Sequence, residues 1–251
     1  MIGIGLTRSP TMKLKTILLL LTLLVTSALI GITNAEAQEQ NSVVVKSGTF
    51  NEDVFAAGRE VTVRAEVDGG VIVMGGEVKI HSKVTGDVVT MGGQLAVGDD
   101  ISGDLLVAGG QIKATGRVGG GLTATGGDVE LNSAISGDVL TMGGRVNVSN
   151  RIGGDFKMAG GRVETNAAVA GNTMAAGARV VVGDAADIKG NAWVVGGQVE
   201  INGTVGKDLR VAGRRVLIGG EILGNVHIDG LEIEIQPTAR IQGNVTYRSP
   251  Q

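Results

Sequence analysis

Residues 86–102 read GDVVTMGGQLAVGDDIS, residues 103–119 read GDLLVAGGQIKATGRVG, and residues 137–153 read GDVLTMGGRVNVSNRIG. In each, a Gly-Asp turn leads into an apolar run, a Gly-Gly pair and then alternating Val, Ile or Leu, with no internal proline. Short β-segments broken by glycine fit such a composition. The turn residue recurs as Asp53, Gly70, Asp87, Asp104, Gly121, Asp138, Asp155, Asn172, Asn191, Asp208, Asn225 and Asn244, every step being 17 residues except two of 19. A unit of that length is too short for a helical-hairpin repeat or a propeller blade, and it has no leucine-rich signature. What remains is the coil of a β-solenoid, each coil resting on the last. The expected fold is all-β, a single-stranded parallel β-helix of about 12 coils. At about 4.8 Å per coil the rod is on the order of 55–60 Å long.

Working outward, the repeat sets the domain plan: residues 51–247 form the solenoid, residues 38–50 lead into it, and residues 248–251 are a short tail. The 43 glycines are expected at corners that need a positive φ. No cysteine is present, so a disulfide scaffold and a thiolate metal site are both excluded. Ahead of the repeat, Arg8, Lys13 and Lys15 precede an apolar stretch from residue 17 to 32, and Ala35-Glu36-Ala37 offers a small-x-small cleavage site. Residues 1–37 therefore read as a secretory signal peptide, with Met12 as an alternative start and an uncleaved anchor as the competing reading. Export to the periplasm or cell envelope follows as the expected localisation. Removing that segment takes Arg8, Lys13 and Lys15 from 22 basic residues and Glu36 from 25 acidic ones, leaving 19 against 24 and a net charge near −5. Such a balance gives no basic surface for nucleic acid.

Counting the turn residue as position one, positions 9 and 11 hold pairs such as Val61 and Val63, Val78 and Ile80, and Val146 and Val148, separated by polar residues. This segment is apolar inward and polar outward. Position 15 contributes a third inward column through Val67, Val84, Ile101, Val118, Ile135, Ile152 and Val169. Positions 2 to 5 differ, since nearly all are apolar and a strand cannot point four consecutive side chains inward. With positions 2 and 4 inward, the outward column reads Phe55, Ile72, Val89, Leu106, Leu140, Met174 and Trp193. An exposed apolar stripe of that size marks a partner surface, here a second rod. The alternative is that the segment around Val43, Val44 and Val45 folds over part of it. The strand edges at the two ends carry no evident cap and can stack head to tail.

The motif GD-V-x-x-x-GG-x-V-x-V-x-x-x-V, with Gly-Asp or Gly-Asn at the turns over residues 50–247, resembles the bactofilin family of polymer-forming bacterial proteins. That resemblance implies a right-handed, roughly triangular β-helix that assembles into filaments without nucleotide, often at a membrane. The ending Gly-Asn-Val-Thr-Tyr-Arg-Ser-Pro is also similar to that of membrane-associated members.

Catalysis finds little support. The turn column of Asp53, Asp87, Asp104, Asp138, Asp155 and Asp208, with Asn172, Asn191, Asn225 and Asn244, is read as structural, because Asp and Asn in turns satisfy backbone groups. The calcium β-roll has a nine-residue period, which this chain lacks. His81 and His227 lie in distant coils and cannot form a histidine zinc cluster. No catalytic, cofactor-binding or metal-binding residue is assigned, and no cofactor is expected. Phe50, Phe55, Phe156, Trp193 and Tyr247 are too few for a sugar-stacking platform. Arg145, Arg162 and Arg179 at position 8 form a basic ladder that suits an anionic glycan or the Glu60 and Glu77 of another rod. The corners at residues 183–187 and 236–238 are read as longer turns. The expected function is thus a non-enzymatic, self-associating envelope scaffold whose partners are itself, with a membrane or envelope glycan beside it; the alternative is a monomeric secreted β-solenoid binding module or adhesin.

Overall fold

The computed structural model describes residues 43–46 and 48–249, with side chains from residue 48 onward. Residues 1–37, read above as a signal peptide with its cleavage site, and residues 38–42 and 47 of the lead-in lie outside the described residues. The described residues belong to one compact unit. It is a parallel β-solenoid of about 12 coils with no helix among the described residues. Pairing follows the repeat residue for residue: Val71 stands over Val54, Val88 over Val71 and Leu105 over Val88, and the same register continues to Val245 over Val226. The two longer steps do not disturb it, because their extra residues fall in the corners between Val182 and Asp187 and between Ile235 and Arg240.

Each coil contributes three parallel ladders. The first runs through positions 2 to 6, bends at position 6 and continues as the second through position 11, so most coils carry one long segment such as Val71–Ile80. The third is short, as in Glu66–Val67 or Glu221–Ile222. Burial alternates along most of these segments. In Val71–Ile80 positions 2, 4, 9 and 11 are buried and the rest are wholly or partly exposed, as the alternation in the sequence requires. Val67, Val84, Ile101, Val118, Ile135, Ile152 and Val169 are all at most 2% exposed and complete the dry core.

A further inward column, not read from the sequence, occupies position 13 with Ala65, Ser82, Ser133 and Ala167, all buried. In these four coils the position 13 side chain is small and turns in beside the branched residue of position 15, whereas Asp99 and Asn150 at the same position of other coils are exposed. Its signal was the recurring Ala or Ser at fixed register.

The glycines have a different role from the one expected. Among the described residues only Gly48 and Asn150 have positive φ. Glycine is required instead by the close approach of successive coils: a Cβ on Gly75 would lie 2.8 Å from the Gly58 carbonyl oxygen, and one on Gly143 would lie 2.8 Å from that of Gly126. Asn150 tolerates its left-handed backbone by bonding locally, donating Nδ2 to the Asn132 carbonyl and accepting the Arg151 N–H at Oδ1.

The lead-in also behaves differently. Val43–Lys46 pairs with residues 60–63 and Thr49–Phe50 pairs with Glu66–Val67, so the solenoid begins before its first turn residue. Val43, Val44 and Val45 extend the second ladder and do not cover the apolar stripe on the first.

Candidate functional site

At the corners that open the first ladder, the turn residue bonds to the next coil wherever it is Asp or Asn; Gly70 and Gly121 have no side chain to do so. Asp53 Oδ1 accepts the Gly70 N–H at 2.7 Å, Asp104 accepts that of Gly121 at 2.7 Å, and Asp138 accepts that of Asp155 at 2.8 Å. Asp87 does the same toward Asp104, Asp155 toward Asn172, and Asp208 toward Asn225. Asn172, Asn191 and Asn225 continue the series, reaching Asn191, Asp208 and Asn244. The residue at position 2 donates its N–H to the carbonyl at position 1 of the next coil, as Val54 does to Gly70. The position 1 N–H is left out of that ladder, and the Asp or Asn oxygen receives it. The carboxylates are therefore held by backbone donors. Among the described residues, no three His, Asp or Glu side chains converge to hold a metal ion.

Because asparagine offers the same acceptor, Asp104→Asn is expected to change stability by no more than about 0.5 kcal/mol, whereas Asp104→Ala should cost about 1 kcal/mol. Urea midpoints at constant slope check this; equal losses would show that charge, not acceptance, is what matters.

The outward side of the first ladder is the candidate site. Register places Phe55, Ile72, Val89 and Leu106 in one column, each directly over the last. Phe55 is 65% exposed, Met174 50% and Leu140 37%. Ile72, Val89, Leu106 and Trp193 are half-buried, each shielded by its neighbours above and below. Position 5 adds a second outward column that the sequence reading left out, with Met74, Met91, Met142 and Val195. Together they make a two-column apolar band.

The band is not continuous, which corrects the column as first drawn. Thr123 pairs between Leu106 and Leu140, and Lys157 between Leu140 and Met174. After Trp193 and Val195 the columns turn polar with Arg210, then His227 beside Asp229, where Nε2 and Oδ2 are 3.2 Å apart. The apolar surface is thus a solid block over the coils of Phe55 to Leu106, a second patch at Met174 and Trp193, and a narrower link through Leu140 and Met142.

The second ladder is polar outside. Arg145, Arg162 and Arg179 stand in register, as the sequence implied, but each faces a carboxylate: Arg145 meets Asp128 at 3.0 Å, Arg162 meets Glu164 at 3.6 Å and Arg179 meets Glu200 at 3.8 Å. Exposed pairs like these contribute little to stability. Further toward the N-terminal coils, Lys79 sits between Glu77 and Glu60, and its pKa is raised, chiefly by the hydrogen bond to Glu77. A shallow depression of about 350 Å³ lies here, lined by Glu77, Lys79, Gln94, Lys113 and Glu130. His81 is exposed and His227 partly so.

No helix among the described residues is long and apolar enough to cross a membrane. No family model matches the chain, and neither does any curated protein or solved structure.

Proposed function

We propose that this chain is a non-enzymatic, self-associating scaffold of the bacterial cell envelope, similar in kind to bactofilins, in which rods join side by side through the apolar band. The observation that carries this reading is the band itself. Two adjacent outward columns hold Phe, Ile, Leu, Val and Met where the second ladder of the same coils holds Glu, Gln, Lys and Arg. A half-buried strand face normally alternates apolar and polar, and an extended apolar surface that water would penalise marks a site of association. The leader-like residues 1–37 support exported placement, and the recurring Gly-Asp and Gly-Asn turns support the bactofilin comparison. Membrane or glycan contact is a secondary role for the same envelope surface.

Sedimentation velocity of the purified full chain over a hundredfold concentration range, with electron microscopy of the fast fraction, tests this. Association that grows with concentration is expected. Replacing Leu140 and Met174 by Lys should raise the concentration needed by roughly tenfold or more, since each large apolar side chain buried at a contact contributes about 1.5–3 kcal/mol. Unchanged β circular dichroism would show that the coils survive. A single rod at every concentration would overturn the scaffold reading in favour of a monomeric binding module.

A further inference from the structure

The apolar band has a centre. Along the position 5 column, Ala108 lies one coil before Thr125 and Met142 one coil after it. Met91 lies two coils before and Ala159 two after, Met74 three before and Ala176 three after. Each large residue is matched by a small one at the same distance on the other side.

We propose that two copies of this chain pair side by side and antiparallel, about a two-fold axis at the coil of Thr123 and Thr125, with the bulky and small residues of the band interlocked. This rests on the self-association reading and names the register of its lateral contact.

A two-fold axis along the strand direction reverses the rods yet keeps position 3 facing position 3 and position 5 facing position 5. Every outward methionine of position 5 then meets an alanine: Met74 meets Ala176, Met91 meets Ala159 and Met142 meets Ala108. At position 3, Leu106 meets Leu140, Ile72 meets Met174 and Phe55 meets Trp193. Exposed Lys157 meets Val89, where its methylene stem covers apolar surface and its amine reaches water. Nine coils at about 4.8 Å, carrying two columns about 7 Å apart, give a face on the order of 500 Å² per rod; the total of about 1,000 Å² is the size at which a specific interface begins.

Other arrangements fit less well. Slipping one coil in one direction sets Met91 on Met142 and leaves Ala57 over Ala176; slipping in the other sets Phe55 on Arg210 and Leu106 on Lys157. Parallel rods bring position 3 against position 5 of the same coil, so Ile72 meets Met74, Val89 meets Met91, and the two copies of Lys157 share one level. One edge opposes the antiparallel pair. The turn columns run along the same side and bring Asp87 toward Asp155 and Asp104 toward Asp138, so salt, which screens like charges, tightens the pair.

Met91 and Ala159 lie four coils apart within one copy, about 19 Å, so neither reaches the other there. In sedimentation of full-length chains, Ala159→Met is expected to raise the dimer dissociation constant about tenfold by overpacking. Adding Met91→Ala to the same chain should restore most of that loss, which requires the two positions to meet across copies. The absence of cysteine allows a second reading of the register. Packed faces lie about 10 Å apart, within reach of a short bismaleimide. A mixture of Ala57→Cys and Val195→Cys chains should give a covalent dimer with one of each, while either variant alone stays uncoupled. Cross-linked dimers of Ala57→Cys alone would refute the antiparallel register. So would loosening by salt, or a double variant no better than Ala159→Met in samples that still associate; each of these leaves the band intact as a contact surface. Unsubstituted chains that stay monomeric at every concentration would sink the scaffold reading as well.

Discussion

Phe156→Ala lowers the free energy of unfolding by about 3–5 kcal/mol. Phe156 has 0% exposure and is the largest of the fully buried side chains, standing at position 2 between Val139 and Thr173. Its bulk is balanced by small residues on the C-terminal side, where Thr173, Ala175 and Ala192 share the same inner columns. Removing the ring leaves a void between coils that can close only if the ladder on both sides shifts. Long strands hold it in place, since Phe156–Val169 pairs along nearly its whole length with Val139–Ile152. The void is therefore retained, and the cost is at the upper part of the usual range. In a solenoid each coil touches only its neighbours, so the loss is confined to one joint. Urea unfolding should show the loss in midpoint, and hydrogen exchange should speed up first in residues 139–182. Phe156→Leu, which keeps most of the volume, should cost under about 1.5 kcal/mol. A loss below about 1 kcal/mol for the alanine variant would mean that the core is loosely packed there.

The same column shows what the sequence disclosed and what it hid. Register was legible because the side-chain period of a strand is two and the coil period is 17, so one turn residue fixes which of Val71, Ile72, Val73 and Met74 points inward. Columns 9, 11 and 15 followed for the same reason. The glycine reading failed because composition does not separate two causes of a glycine, a left-handed backbone and the close approach of another chain segment; Gly75 and Gly143 belong to the second. Position 13 was missed because Ala65 and Ser82 look like turn residues until the corner is seen to fold inward. The apolar column was overdrawn because Thr123 and Lys157 were passed over within it, and the second column of Met91 and Met142 was overlooked. The pairing of Val43–Lys46 with the first coil was hidden because it is a short strand with no turn motif of its own. The candidate site could be read only as a surface. It contains no group whose chemistry is specific to one partner.

Gly109→Ala is expected to destabilise by about 1–3 kcal/mol, whereas Gly110→Ala, one residue later, should cost less than half as much. Both glycines form the pair at the bend between the first and second ladders. A Cβ on Gly109 is hemmed in on two sides, 2.5 Å from the Gly92 carbonyl oxygen and 2.7 Å from Leu95 Cδ1. Moving away from the carbonyl drives it into the core side chain. A Cβ on Gly110 comes as close as 2.8 Å to the Gly93 carbonyl oxygen but meets no core side chain, so the backbone of one corner has to shift and nothing else does. The chain repeats this distinction itself. Position 6 is glycine in each of the coils from Gly58 to Gly230, while position 7 is Arg59, Ala178, Arg214 and Leu231 in four of them. Alanine at a compatible site also narrows the unfolded ensemble, which offsets part of the strain at Gly110. Equal losses at the two positions, measured by urea midpoint, would mean that inter-coil spacing alone governs the corner. The unequal result would show that position 6 is fixed by the core beneath it, which also explains why the bend stays in register across coils whose outer faces differ so widely.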